Sequence, residues 1–258
     1  MPGVTNMNDE RPVREIYVAI DPHRVRQRSL DIAVLIAERL QAGLLARLIA
    51  DSTLHEVARL PFATEILATS GVERHFQFHA MQERESRQGA ALVKLLAQRA
   101  EPRRVSLRLE QGSDSVSLLV LLEGRKDLFL PAISPVAMSA RSKRRSATIN
   151  VVTWLYDGST ASERCLKLLL ELAGAGLGHQ VNLCAVAPVP RQLLLALAEK
   201  GIRVCWMAGE GDEALVAKLA AGCESDLLLL TASYATRLGE AGLNDLNRRS
   251  GAPILVMA

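Results

Sequence analysis

Two long stretches of this 258-residue chain repeat one plan, and that repetition narrows the folds open to it more than any composition value. "EIYVAIDPHRVRQRSLDIAVLIAERLQAG" in the first half matches "NVVTWLYDGSTASERCLKLLLELAGAG" in the second. Each is a short apolar run ending in Asp, followed by a helical pattern of similar length, so Asp21 and Asp157 hold paired positions. Further on, "EQGSDSVSLLVLLEGRKDLFL" and "MAGEGDEALVAKLAAGCESDLLLL" share a second plan: a glycine turn, an amphipathic helix and an apolar strand. The chain reads as a tandem duplication whose copies have drifted apart. The boundaries that follow are a disordered or extended terminus over 1–14, a first domain over 15–140, a basic linker over 141–148 and a second domain over 149–258.

Local signals agree with this plan. Leu30, Ala33, Val34, Ala37 and Leu40 step by three and four, giving one apolar helix face, and Leu166, Leu169, Leu170 and Ala173 do the same. Thr53-x-x-Glu56 and Thr160-x-x-Glu163 fit capping boxes. Tyr17–Ile20, Leu44–Ala50, Val151–Tyr156, Val181–Ala187 and Ile254–Met257 are short apolar runs bounded by turn residues, as in buried parallel strands. Strands alternating with helices predict βαβ units, hence an α/β fold of two doubly wound parallel-sheet domains.

The copies differ in two places. Between its second and third strands the first half spends about 54 residues, against about 15 in the second. The extra segment, Ser52–Arg104, predicts a helical insert broken at Pro61, with a long polar helix from about Val72 to Ala100. Conversely, Pro131–Ala147 leaves no room for a full helix and strand, so the first domain is truncated there, with a vestigial strand at Val136–Met138.

Half of the chain is apolar, enough for a sizeable core, while aromatics are only 3%. That scarcity argues against single-strand nucleic-acid binders, which stack bases on aromatic platforms. A net charge of +3 demands no polyanion partner. Cys165, Cys184, Cys205 and Cys223 form no C-x-x-C pair and read as buried thiols of a reducing cytoplasm. The first fifteen residues lack an apolar signal core, and no apolar run approaches the roughly 20 residues of a membrane span. The expectation is a cytoplasmic protein with no membrane partner.

In the second half, Asp157-Gly158-Ser159 is followed by Ser162, Gly209 follows the third strand, "SDLLLL" leads into the fourth, and "APILVMA" closes the chain. In this order the chain resembles a tandem universal stress protein. The resemblance implies adenine-nucleotide-alpha-hydrolase-like domains of strand order 3-2-1-4-5, usually paired through the last strand. It also implies a stress-response role, often without catalysis. Many members of that family bind ATP or AMP. Asp at the first strand end reaches the adenosine, and phosphates lie in a loop patterned G-x2-G-x9-G-[ST] whose last glycine opens a helix.

Set beside that pattern, "TASYATRLGEAGL" (231–243) departs from it. The glycine expected after the strand is Ala232, the loop to Gly239 is short, and Glu240 takes the Ser/Thr place. A carboxylate 4–5 Å from a phosphate costs about 3–4 kcal/mol per unit charge at an effective dielectric near 20. The sites are therefore expected to be degenerate for ATP, with no cofactor required and AMP or ATP as the alternative ligand. The candidate adenosine pocket is Asp157, Gly158, Ser159, Gly209, Ser233 and Gly239; as plain structure, the same Asp-Gly-Ser is a strand-to-helix turn. Asp21 is the weaker counterpart, being followed by Pro22.

Gly174-x-Gly176-x-Gly178 closes a helix rather than opening one, so it reads as a C-cap and not a dinucleotide fingerprint. His75, His79 and Glu83 are spaced as one helix face, which offers a metal site or an ordinary polar surface. "RSKRR" (141–145) reads as a solvated linker, with nucleic acid as the sharper alternative. Cys184 and Cys205 fall on neighbouring strands, where a redox pair competes with two buried thiols. No G-x-S-x-G, G-x4-G-K-[ST] or H-E-x-x-H occurs, and no catalytic residue is assigned. The reading is a non-enzymatic binding or regulatory module with a protein partner. It pairs through Pro253–Met257, either as a homodimer or as an intramolecular pseudo-dimer, because an open strand edge needs a partner.

Overall fold

The computed structural model describes residues 14–22, 24–49, 57, 60, 62–66, 70–75, 78–110, 118–123, 126–133, 148–207 and 225–258. The first half contributes β1 (Glu15–Ile20), α1 (Gln27–Arg39), β2 (Gly43–Leu48), β3 (Thr64–Ile66), β4 (Glu73–His75), α2 (Phe78–Ala100), β5 (Leu107–Glu110), α3 (Leu118–Glu123) and β6 (Asp127–Leu130). The second contributes β7 (Val151–Tyr156), α4 (Thr160–Gly174), β8 (Gln180–Ala185), α5 (Arg191–Glu199), β9 (Arg203–Trp206), β10 (Leu227–Thr231), α6 (Ala232–Ser250) and β11 (Ile254–Met257). The expected Thr53–Glu56 cap, the Val136–Met138 strand, residues 1–13, Cys223 and the 141–147 part of the linker lie outside the described residues.

Among the described residues, nine strands form one mostly parallel sheet in the order β5-β2-β1-β6-β11-β10-β7-β8-β9. Within each half the pairings are parallel; the halves meet antiparallel, with Ile254, Leu255 and Val256 of β11 facing Leu130, Phe129 and Leu128 of β6. β11 thus lies in the interior of the sheet with four strands on either side, and both of its edges are paired within the chain.

Alternating side chains build a core on each face. Ile16, Val18 and Ile20 of β1 belong to one core, which runs along that face to residues of α1, α2, α4 and α5. Tyr17 and Ala19 face the other way, toward α3 and α6. α1 buries Ile32, Leu35 and Ile36 besides Leu30, Ala33, Val34 and Ala37 of the expected stripe, whose last member, Leu40, is the half-buried C-cap; the helix is packed against the sheet and against α2 and α4 together. α2 lies so close to β2 that a Cβ on Gly89 would come within 2.4 Å of Leu48 Cδ1, and the end of the Leu48 side chain would have to shift to admit it.

The long polar helix starts later than its periodicity suggests. Residues 73–75 instead pair antiparallel with 64–66, His75 facing Thr64 and Glu73 facing Ile66, and α2 begins at Phe78. Helical spacing in this insert yields to a short hairpin held by ion pairs such as Arg74–Glu65.

Charged contacts tie the halves at the seam. The Asp127 carboxylate, 1% exposed, accepts from Arg14 Nε (2.8 Å), from Arg164 Nη2 (2.9 and 3.0 Å) and from the Ala258 amide (3.1 Å). Asp226 accepts from Arg28 Nη2 at 2.5 Å and from the amides of Asn150 and Val151 at 2.9 and 3.1 Å. Arg28 and Arg164 each stand on the first helix of one half and reach a carboxylate at the fourth strand of the other, while Arg14 reaches Asp127 within its own half.

Candidate functional site

β7 and β10 are parallel neighbours, with Trp154 beside Leu229, so their carboxyl ends emerge together at Tyr156 and Thr231. From there β7 turns through Asp157-Gly158-Ser159 into α4, while β10 runs directly into α6. A crevice opens where the chain leaves adjacent strands in different directions, which is where open α/β sheets place ligands. Gly158 makes the turn at φ 75°, a conformation open to glycine.

Asp157 is the centre of this crevice. Its Oδ1 accepts from the Ser159 amide (3.0 Å), the Ser159 hydroxyl (2.7 Å) and the Ser162 hydroxyl (2.8 Å). Its Oδ2 accepts from the hydroxyls of Thr231 and Ser233. Burial alone pushes this carboxyl up. The hydroxyls of Ser233 and Thr231, with the hydroxyl and amide of Ser159, outweigh it and hold the group well below the usual carboxylate range. A carboxylate so held is a weak base.

Around it lies a hollow of about 350 Å³ lined by Gly158, Ser159, Val186, Ser233, Tyr234 and Arg237 as well as Asp157. Arg237 stacks on Tyr234, its Cζ 4.7 Å from the ring centroid. Gly158 and Ser159 also border a second hollow of about 320 Å³, walled by Tyr156, Leu166, Pro190 and Leu193 with Glu163 at its side. Burial, then the charges of Asp157 and Glu163, raise the Tyr156 phenol above its ordinary value.

Of the residues singled out in the sequence, Asp157, Gly158, Ser159 and Ser233 come together here, and Ser162 joins them. Gly209 lies outside the described residues. Gly239 does not line the crevice. Its φ of 69° and ψ of 173° mark a kink inside α6, and the preceding segment, expected as a loop, is helical from Ala232. The reason is local. Thr231 is the N-cap, its Oγ1 accepting from the Tyr234 amide at 3.2 Å, and Tyr234 and Ala235 bury against the sheet. Thr160-x-x-Glu163 is not a capping box: Ser159 is the N-cap and its hydroxyl serves Asp157 instead. Thr231, Tyr234, Arg237 and Val186 were missed; a strand-ending Thr before a helical pattern is the N-cap signature that points to the first of them.

The remaining candidates separate. His75 sits on β4 and His79 on α2, so they do not share a helix face. Among the described residues no group of three or more His, Cys, Asp or Glu is placed to hold a metal ion. Cys205 stands opposite Asn182, leaving Cys184 diagonal to it, and no disulfide joins the two. Burial pushes the Cys165 thiol far up, which suits a packed side chain rather than a nucleophile. Gly176 and Gly178, at φ 74° and 62°, follow the end of α4. Among the described residues no helix is long and apolar enough to cross a membrane.

No protein-family model matches this sequence, and no curated protein matches it. Among solved structures, a universal stress protein from Archaeoglobus fulgidus DSM 4304 is similar at 12% identity over 94% of this chain and 95% of that one, with a TM-score of 0.48. MurG of Acinetobacter baumannii is similar at 14% identity over 88% of this chain and 74% of its own, with a TM-score of 0.23.

Proposed function

We propose that the chain is two universal-stress-type units fused into an intramolecular pseudo-dimer. It acts in the cytoplasm as a non-enzymatic binding or regulatory module of the stress response. The observation that carries the fusion is the pair of reciprocal contacts Arg28–Asp226 and Arg164–Asp127. Both arginines stand seven residues after the repeated Asp21 and Asp157, and both aspartates open the repeated fourth strand. Contacts that exchange partners in this way are what a two-fold dimer makes at its interface. The arrangement of four strands, β11 and four strands supports the same reading, with one final strand serving both units. The absence of a catalytic role rests on Asp157, whose hydrogen bonds make it a poor base.

The proposal is tested in solution. Light scattering should give a monomer, since β11 has no open edge. ATP or AMP at about 1 mM should leave Tm unchanged, whereas micromolar binding would raise it by linkage. A Tm rise specific to either nucleotide would replace this reading with a second one, a nucleotide-binding switch. That alternative is favoured by the two hollows sharing Gly158 and Ser159.

A further inference from the structure

An adenine nucleotide is the ligand that a fold of this kind suggests, and the donor set at Asp157 does not fit one. An ionised carboxylate offers about four lone-pair sites. Five hydrogen bonds from the described residues already end on Asp157, three on Oδ1 and two on Oδ2. No acceptor capacity is left for a ribose hydroxyl or an adenine amine. The donors themselves are also committed. The Ser159 and Ser162 hydroxyls come from the start of α4, and the Thr231 and Ser233 hydroxyls from the start of α6. Two helix N-termini, each carrying positive partial charge, therefore converge on one carboxylate. The loop that would surround a phosphate is the first two turns of α6.

We propose that the Asp157 carboxylate is the resident anion of this crevice, filling the place an external anion would take and latching the start of α6 to the start of α4. The native crevice then rejects phosphate, and truncation of this one side chain turns it into a site for a small carboxylate. The inference rests on reading the crevice as one that takes no nucleotide, but it fails separately. A nucleotide-dependent Tm rise in the native protein sinks that reading, while the outcomes below concern the latch alone.

The experiment compares native protein, Asp157→Ala and Asp157→Asn by thermal unfolding in about 100 mM sodium formate and in sodium chloride of equal ionic strength. In chloride, Asp157→Ala should melt about 5 °C below native, since its helix-start hydroxyls lose their acceptor. Formate should restore at least half of that loss. Native protein should respond equally to both salts. Asp157→Asn should also respond equally, because its amide fills the space formate needs. An Ala variant that formate does not rescue, or an Asn variant rescued as well as Ala, overturns the proposal. Should Asp157→Ala not fold, Ser233→Ala at an exposed position replaces it, read by carboxyl NMR titration of Asp157. Removing that donor should move the Asp157 midpoint upward, and an unmoved midpoint overturns the latch.

Discussion

The two halves leave their paired strand ends by opposite means. In the second half the strand end is Thr231, and α6 begins there, its first hydroxyls turned onto Asp157. In the first half the residue in register is Pro131, which has neither a hydroxyl nor an N–H, and no helix starts. Residues 131–133 run extended across the start of α1 instead. The Arg26 amide donates to Ala132 O, the Ala132 amide to Ser29 Oγ, and Val25 bridges Ile133. Arg26 and Asn247 secure the crossing, reaching Gly251 O at 2.9 Å and Pro131 O at 3.3 Å. One strand end is crossed by backbone; at the other a charge sits between two helix starts. Asp21 is left at the margin, its carboxylate 27% exposed and 3.7 Å from Arg24. Thr231 in one copy and Pro131 in the other stand where the two courses part.

The seam offers the largest effect with which to challenge this inequality. Asp127 is the more buried of the reciprocal carboxylates, 1% exposed against 18% for Asp226. Removing one partner of a buried ion pair costs about 3–5 kcal/mol; Arg14 and Arg164 retain access to water, so Asp127→Ala should lose about 3 kcal/mol in urea unfolding. Asp226→Ala should lose about 1–2 kcal/mol, because Arg28 and two strand-edge amides regain water as their partner. Equal losses would mean that the seam is energetically symmetric although its geometry is not.

Next comes the filled crevice. Asp157→Ala should cost about 2 kcal/mol at neutral pH, the scale of hydrogen bonds to a charged group with most donors rehydrated. The sign of its pH dependence follows from the direction of the shift. The folded-state midpoint lies below the unfolded one, so the folded protein binds fewer protons in acid and the contribution grows as pH rises. The stability gap between native and Asp157→Asn should be full above about pH 4 and shrink as pH falls below it, read from urea midpoints across the acid range. A gap that widens in acid would reverse the assignment of Asp157 as the ionised member of the cluster.

Much of this architecture was legible because buried parallel strands and amphipathic helices leave local patterns. Val151–Tyr156 and Ile254–Met257 match their strands end for end, and four of the five α1 stripe residues are buried, with Ile32, Leu35 and Ile36 buried beside them. The site was legible in part. Asp157, Gly158 and Ser159 follow a strand, which is a local signal, but the use of Thr231 and Ser233 as donors to Asp157 spans more than seventy residues and has no sequence period. The helical start of α6 was misread as a loop because Gly239 drew the expected boundary to itself. A capping hydroxyl and the burial of Tyr234 decide that boundary earlier. The insert misled for a related reason: residues 73–75 fit a helical spacing, yet pairing with 64–66 supplies hydrogen bonds that spacing does not record.

Gly158 tests the turn between the two hollows. A side chain there must adopt φ near 75° and place its Cβ 3.3 Å from the Ala187 Cβ. Left-handed backbone costs a non-glycine residue about 1–2 kcal/mol. Gly158→Ala should lose about 1 kcal/mol while the crevice keeps its hydroxyls, measured as a lower urea midpoint with unchanged slope.

The smallest expected effect is the most exacting for the comparison. Asp21 and Asp157 are paired by the repeat, so a shared ancestral role would give them similar weight. Their surroundings say otherwise. The Asp21 contribution to its turn is made by the backbone, its carbonyl accepting from the amides of Arg24 (3.3 Å) and Val25 (3.1 Å), and an alanine keeps both bonds. The side chain adds an ion pair to Arg24, which is 44% exposed, and exposed pairs of this kind contribute about 0.2–1 kcal/mol. Asp21→Ala should therefore change stability by less than about 0.5 kcal/mol, and formate should have no more effect on it than chloride. A loss equal to that of Asp157→Ala would show that the first strand end also depends on its carboxylate, and the contrast between a strand end crossed by backbone and one that holds a charge would fail.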